Sequence, residues 1–246
     1  MAQRIAVVSG GIGGLGTAIC IALADAGCKV IAADMGSNPQ RIAEFEAAVA
    51  GRDVVFAALD VTDRDACTTL VHGIEQAHGA LDILVNAAGI TRDTTFRNMQ
   101  PSQWDAVLAV NLGGVFNLCR PAIEGMIARG FGRIVNISSV NGQTGQFGQS
   151  NYAAAKAGMH GFTMSLAREV ARKGITVNSI APGYCETAMV MAIPEEIRVG
   201  IVNQIPVGRL GKPSEIGRTV VFLAADDAGF ITGADIPING GMFMSF

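Results

Sequence analysis

Ser9-Gly10-Gly11-Ile12-Gly13-Gly14-Leu15-Gly16 follows the apolar run Ile5–Ser9 and opens a segment of helical period, Thr17–Ala26. Glycines at this spacing let the chain turn sharply and bring its backbone close to a pyrophosphate. The free amides and positive end of the following helix then hold the charge. A bare glycine pattern is weak evidence; a strand before it and a helix after it supply the context a dinucleotide-binding turn requires. The plainer alternative is a tight strand-to-helix turn without a ligand.

The same alternation continues outward. The runs Val30–Asp34, Val54–Asp60, Leu81–Asn86, Arg133–Ser138, Ile175–Ile180 and Ala234–Ile238 have the composition of buried strands. Segments of helical period separate them, at Arg41–Ala50, Asp65–Ala77, Ser102–Arg129, Asn151–Arg172 and Ser214–Ala225. Strands joined by helices imply parallel pairs, because a parallel pair needs a long crossover. The predicted fold class is α/β, a single-domain Rossmann-type doubly wound parallel sheet of about six or seven strands. It spans residues 1–246, with a substrate lid at about 184–206.

Composition bounds the function. At 246 residues the chain is near the upper size for one core, and 50% apolar with 16% charged residues excludes disorder. A net charge of −3 gives no electrostatic reason to bind nucleic acid or an anionic membrane. The apolar runs read as too short and too interrupted to span a bilayer. Gln3-Arg4 leads straight into a strand without a signal-peptide pattern, and five cysteines lack a paired C-x-x-C spacing. A cytoplasmic protein with reduced thiols is expected. His72, His78 and His160 lack ligand spacing, so no metal site is expected.

Asp34 stands where the dinucleotide fingerprint places the acid that accepts from the adenosine ribose, a preference for NADH over NADPH. A solvated strand-end aspartate is the simpler alternative, and Arg41 nearby offers a partner for a 2′-phosphate. Asp60 and the amide of Val61 are placed to meet adenine. The small residues of Asn86-Ala87-Ala88-Gly89 let a cofactor lie against the sheet edge.

Tyr152 and Lys156, four apart at the start of a helix, project from one face. A phenol titrates near about 10; a lysine ammonium and a cationic nicotinamide beside it would lower that value toward the range useful for acid–base catalysis. By itself this pair is commonly an ordinary surface pair. Ser139, at the end of the fifth strand, adds a hydroxyl beside the carbonyl to be reduced. Asn111 interrupts the apolar run Val107–Leu112, so its amide must hold a backbone group or a water.

Together, Gly10-x-x-x-Gly14-x-Gly16, Asn86–Gly89, Asn111, Ser139, Tyr152, Lys156 and Pro182-Gly183 resemble the classical short-chain dehydrogenases/reductases over essentially the whole chain. The departures are Ser9, usually threonine there, and Ala87, usually asparagine. The resemblance implies that Tyr152 is the proton donor, that Lys156 lowers its pKa and binds the nicotinamide ribose, that Ser139 orients the carbonyl, and that Asn111 holds a relay water. It further places Pro182, Gly183 and Thr187 at the nicotinamide. Family members typically pack the two long helices into homotetramers.

A narrower resemblance rests on Gly89–Asp93 with Phe96-Arg97, Ser138–Gln143 continuing through Gln146–Gln149 to Asn151-Tyr152, and Ala155–Met164. These look like the acetoacetyl-CoA reductases of polyhydroxyalkanoate synthesis, which form (R)-3-hydroxybutyryl-CoA. It implies that Gln146, Gln149 and Tyr184 address the acyl oxygens and that Phe147 shapes the pocket, although the glutamines also read as an ordinary polar loop. Many polymer-pathway members use NADPH, and Asp34 departs from that. The 3-oxoacyl-carrier-protein reductases resemble the chain almost as well, and Arg129, Arg172 and Lys173 would give a carrier a basic docking surface. A non-catalytic dinucleotide sensor is the alternative outside enzymes.

Overall fold

In the computed structural model, which describes residues 3–244, every predicted strand forms. They are β1 (Ile5–Ser9), β2 (Lys29–Asp34), β3 (Val54–Ala58), β4 (Ile83–Asn86), β5 (Gly132–Ile137), β6 (Ile175–Pro182) and β7 (Asp235–Ile238). All pair in parallel in one sheet, ordered β3-β2-β1-β4-β5-β6-β7. β1, β4 and β5 are buried along their whole length, as strands covered on both faces must be.

Helices cover both faces. On one, α3 (Arg64–His78), α5 (Gly114–Arg129) and α7 (Ser150–Val170) bury Val71, Leu118, Met126 and Met159 against Val7, Leu84 and Ile134. On the other, α1 (Gly14–Asp25) and α10 (Pro213–Ala224) bury Ile19, Leu23, Ile216 and Val220 against Val8, Val30 and Val85, with α2 (Pro39–Ala48) adding Phe45. Each such side chain contributes about 1.5–3 kcal/mol on leaving water. The strand order reverses between β1 and β4, so the crossovers leave in opposite directions. That opens a crevice at the carboxyl ends of the strands, where ligands bind in such sheets.

Three expectations change. The single helix over 102–129 is α4 (Pro101–Leu108), a π-helical turn (Ala109–Gly113) and α5. The break centres on Asn111, whose buried amide bonds outside the helix. The third strand stops at Ala58 rather than Asp60: the amide of Leu59 makes the last rung to the carbonyl of Asp34 at 2.8 Å, and the chain then turns at Asp60, whose carbonyl accepts from the amide of Asp63. The helical run Pro101–Arg129 is also long and apolar enough to cross a membrane by length and composition. Val107, Val115, Leu118, Ala122 and Met126 instead face the protein core.

Candidate active site

At the nucleotide end the N-cap of α1 is Gly13, which offers no side-chain acceptor. The first-turn amides of Gly14, Leu15 and Gly16 therefore have no partner within the helix. The turn is packed backbone on backbone. A Cβ on Gly10 (φ +66°) would lie 2.8 Å from the carbonyl of Ala87, one on Gly16 would run into the carbonyl of Gly10, and one on Gly14 would meet Thr187 Cγ2 at 2.9 Å. Thr187 caps α8 (Ala188–Met191), so the glycine turn and the chain after β6 wall one cleft. Pro182 ends β6, and Gly183 lies so close to Asn239 that a Cβ would be 2.8 Å from its Cα. This cradle of free amides fits a dinucleotide pyrophosphate.

Ser9 performs the support expected of a threonine: its Oγ accepts from the amides of Ala87 (3.2 Å) and Ala88 (3.3 Å). Asp34 ends β2, half-buried, with Oδ1 accepting from the amide of Met35 at 2.9 Å. Arg41 Nη2 donates to the carbonyl of Ile12 at 3.4 Å, so it braces the glycine turn. Asp60 uses Oδ1 to accept from the amide and hydroxyl of Thr62. Val61 is buried, and its carbonyl accepts from Asn117 Nδ2 at 2.9 Å. Asn86 differs from expectation. Its amide donates sideways to Asn136 Oδ1 at 2.8 Å, and Asn136 donates to Thr163 Oγ1 at 2.9 Å. Its side chain thus braces the sheet, and only its backbone borders the cleft.

The catalytic candidates converge at the same edge. Lys156 is buried on α7, and its Nζ donates to the carbonyl of Ile137 at 2.7 Å and lies 5.6 Å from the centre of the Tyr152 ring. The site for a Cβ on Gly89 is 2.7 Å from Asn111 Oδ1 and 3.6 Å from Lys156 Nζ, so a larger side chain at Gly89 would separate them. Asn111 resolves to the backbone alternative: it accepts from the amide of Ile90 at 2.9 Å and donates to its carbonyl at 2.8 Å.

Burial sets the proton affinities. It raises the Tyr152 phenol above its ordinary value, opposed by a hydrogen bond with Ser139 and assisted by the negative charge of Asp93. It lowers Lys156 to about 8. Desolvation thus outweighs the Ser139 hydrogen bond at Tyr152, and the lowering expected from the sequence rests on the charge of a nicotinamide cation beside the phenol. Ser139 caps α6 (Val140–Thr144), accepting from the amide of Asn141 at 3.1 Å.

The mouth holds residues the sequence reading did not single out. Gln149 Nε2 donates to Asp93 Oδ2 at 2.8 Å, and its Oε1 accepts from Asn141 Nδ2 at 2.8 Å. Asn141 also hydrogen-bonds the Tyr184 phenol, which burial and the charge of Asp93 hold above its ordinary value. Gln149 is thus a brace between two loops, not a free amide for an acyl oxygen. Gln146 and Phe147 are exposed, Phe147 at 87%. Asp93 and Asn141 lie in the stretches Gly89–Asp93 and Ser138–Gln143 that carry the narrower resemblance, but nothing in those stretches marked them as partners of Gln149.

Beyond Tyr184, α8 and α9 (Glu195–Asn203) bury none of their residues, and Met189, Met191 and Ile197 are exposed. The base of this segment is clamped: Gly211 donates to the carbonyl of Tyr184 and accepts from the amide of Glu186. Arg129, Arg172 and Lys173 do not form a basic rim at the mouth. Arg129 bonds Glu75 and the carbonyl of Leu81, and the other two follow α7 just before β6 begins. All three lie at the amino edge of the sheet, because α7 runs back against the strands.

A family model described as enoyl-(acyl carrier protein) reductase matches residues 10–243. The acetoacetyl-CoA reductases of Allochromatium vinosum and Rhizobium meliloti are 53% and 54% identical to the chain. They match over 98% and 99% of its length and 99% and 100% of their own. The chain belongs to the short-chain dehydrogenase/reductase family. A 3-oxoacyl-[acyl-carrier-protein] reductase of Haemophilus influenzae is 43% identical over 100% of both chains. As a short-chain dehydrogenase/reductase the chain is an oxidoreductase that uses a nicotinamide cofactor.

Proposed function

We propose that the chain reduces acetoacetyl-CoA to (R)-3-hydroxybutyryl-CoA, with NADH preferred to NADPH. The observation that carries the reading is the half-buried Tyr152 beside Ser139 and Lys156, at the sheet edge that also holds the glycine turn. The substrate is supported by the identity to acetoacetyl-CoA reductases, which exceeds that to the Haemophilus carrier-protein reductase. The amino-edge position of Arg129, Arg172 and Lys173 also speaks against carrier docking at the mouth.

The residues divide the work. The amides of Gly14, Leu15 and Gly16 hold the pyrophosphate, and Gly10 lets the backbone approach. Asp34 accepts from the ribose hydroxyls and repels a 2′-phosphate. Asp60 and Val61 border adenine, Ala87 and Gly89 leave room along the edge, and Pro182, Gly183 and Thr187 wall the nicotinamide end. When bound, the dihydronicotinamide supplies the hydride. Tyr152 donates its proton to the keto oxygen as charge develops there, and Ser139 adds a hydrogen bond; both are strongest when that charge is greatest. Kept protonated by burial, Tyr152 is ready as an acid. Lys156 orients the ribose, and Asn111 fixes the Ile90 loop through both backbone groups of Ile90.

Gln146, Phe147 and Tyr184 meet the acyl thioester as the lightly packed segment 184–206 closes over it. An apolar groove of about 360 Å³ lined by Phe116, Ile123, Phe162 and Leu166 on α5 and α7 supports assembly into a homotetramer. Steady-state kinetics test the reading: acetoacetyl-CoA should be reduced with higher kcat/KM for NADH than NADPH, and faster than a carrier-linked 3-oxoacyl chain. Preference for the carrier-linked substrate would overturn it.

A further inference from the structure

One turn beyond Lys156, His160 closes a hydrogen-bonded chain that the reaction as derived does not use. Its Nε2 lies 2.6 Å from Ser138 Oγ and 3.4 Å from Asp235 Oδ2. Ser138 Oγ in turn donates to the carbonyl of Lys156 at 3.1 Å. Asp235, on β7, also accepts from Ser179 Oγ of β6 and Gln143 Nε2 of α6, each at 2.7 Å. The end of β5, β6, β7, α6 and α7 therefore meet at one polar cluster directly behind the catalytic candidates.

The chemistry fixes the direction of these bonds. A serine hydroxyl has one proton. With that proton on the Lys156 carbonyl, the Ser138 oxygen presents lone pairs to His160, so Nε2 carries the hydrogen and donates. The neighbouring Asp235 carboxylate favours the same tautomer. The cluster is not a nucleophile relay. One ring nitrogen faces both serine and carboxylate, so the ring cannot take a proton from Ser138 on one side while Asp235 steadies the other.

Its position gives it a different task. Ser138 precedes Ser139, and Lys156 already reaches the carbonyl of Ile137 with Nζ. The segment 137–139 is thus tied to one lysine at two points, by Nζ at Ile137 and by the main-chain carbonyl at Ser138. The second tie depends on the rotamer of a hydroxyl, and His160 is what selects that rotamer. We propose that His160, anchored by Asp235, is a positioning residue: it locks Ser138 onto the Lys156 carbonyl and so sets the separation of Ser139 from Tyr152. The proposal rests on the reductase reading for its assay, and its spectroscopic arm does not.

The test measures kcat with acetoacetyl-CoA and NADH, and the NADH Kd, for Ser138→Ala, His160→Leu, His160→Gln and the Ser138→Ala/His160→Leu double variant. Ser138→Ala and His160→Leu should each lower kcat by about tenfold at unchanged Kd, because small misplacements slow reaction more than binding. His160→Gln keeps an N–H near the Nε2 position and should return kcat to within about threefold. The double variant should be no slower than the slower single variant, since both act through one hydrogen bond. Undiminished kcat in either single variant, equal damage from leucine and glutamine, or multiplying losses in the double would overturn the proposal. Should His160→Leu fail to fold, Ser138→Ala and His160→Gln still decide it. Independently, ¹⁵N–¹H correlation spectra should show the Nε2–H tautomer of His160, and the Nδ1–H tautomer would overturn the assignment. A wild-type chain inactive on acetoacetyl-CoA overturns the substrate reading instead, and the same ratios are then taken on a carrier-linked 3-oxoacyl chain.

Discussion

Lys156 places its ammonium 2.7 Å from the carbonyl oxygen of Ile137, the last residue of β5. A neutral carbonyl compensates a buried cation only partly, and burial draws the lysine from its ordinary 10.5 down to about 8. Below pH 8 the folded and unfolded chains both hold this proton and the burial penalty is complete. Between pH 8 and 10.5 the unfolded chain still holds a proton that the folded chain has released, so stability rises with pH across that window. The gain is about 3 kcal/mol. Urea unfolding of the wild type against Lys156→Met at about pH 7.5 and about pH 10 isolates it. The difference should grow in favour of the wild type, and a constant difference would contradict the lysine's lowered value.

Tyr152→Phe removes the acid and keeps the ring. Turnover should fall by at least about 10²-fold, while NADH binding, followed by fluorescence titration, stays within about twofold. Turnover close to that of the wild type would exclude Tyr152 as the donor.

The charge of Asp93 raises Tyr152, so Asp93→Asn should lower it. A phenol that donates a proton at lower pKa loses it at lower pH, and the alkaline limb of the kcat profile should move downward. The same substitution keeps an oxygen to accept from Gln149, which separates charge from bracing. An unmoved limb would show that the aspartate does not act on Tyr152 through its charge.

Asp34→Ala should lower kcat/KM for NADH by about tenfold or more, the worth of a charge-assisted hydrogen bond, and raise it for NADPH. Arg41 remains beside the glycine turn to meet a 2′-phosphate. If NADH retains its advantage in this variant, the carboxylate is a solvated strand end and no more.

The sheet was legible because apolar strands buried on both faces announce themselves locally; Ile5–Ser9 begins and ends where its composition does. Tyr152, Lys156 and Ser139 were legible for a related reason: one helix turn and one strand end fix them. Gln149 was not, since its role depends on Asp93, 56 positions away. A local pattern shows that a glutamine is polar and cannot show that both its ends are occupied. The π turn at Asn111 was hidden likewise. The apolar period runs through it, and only the paired bonds to Ile90 explain why the helix accommodates it. The side-chain partner of Asn86 was hidden too, because Asn136 lies on the adjacent strand.

The glycine turn is a short local motif, yet its walls come from far along the sequence: the Ala87 carbonyl behind Gly10 and the Thr187 side chain against Gly14. A segment that stops short of Thr187 carries the signature of nucleotide binding without the wall that closes its cleft. The cleft thus closes only when positions as far apart as Gly14 and Thr187 have come together. A nicotinamide dinucleotide that needs both walls therefore stabilises the folded cleft and not the isolated motif.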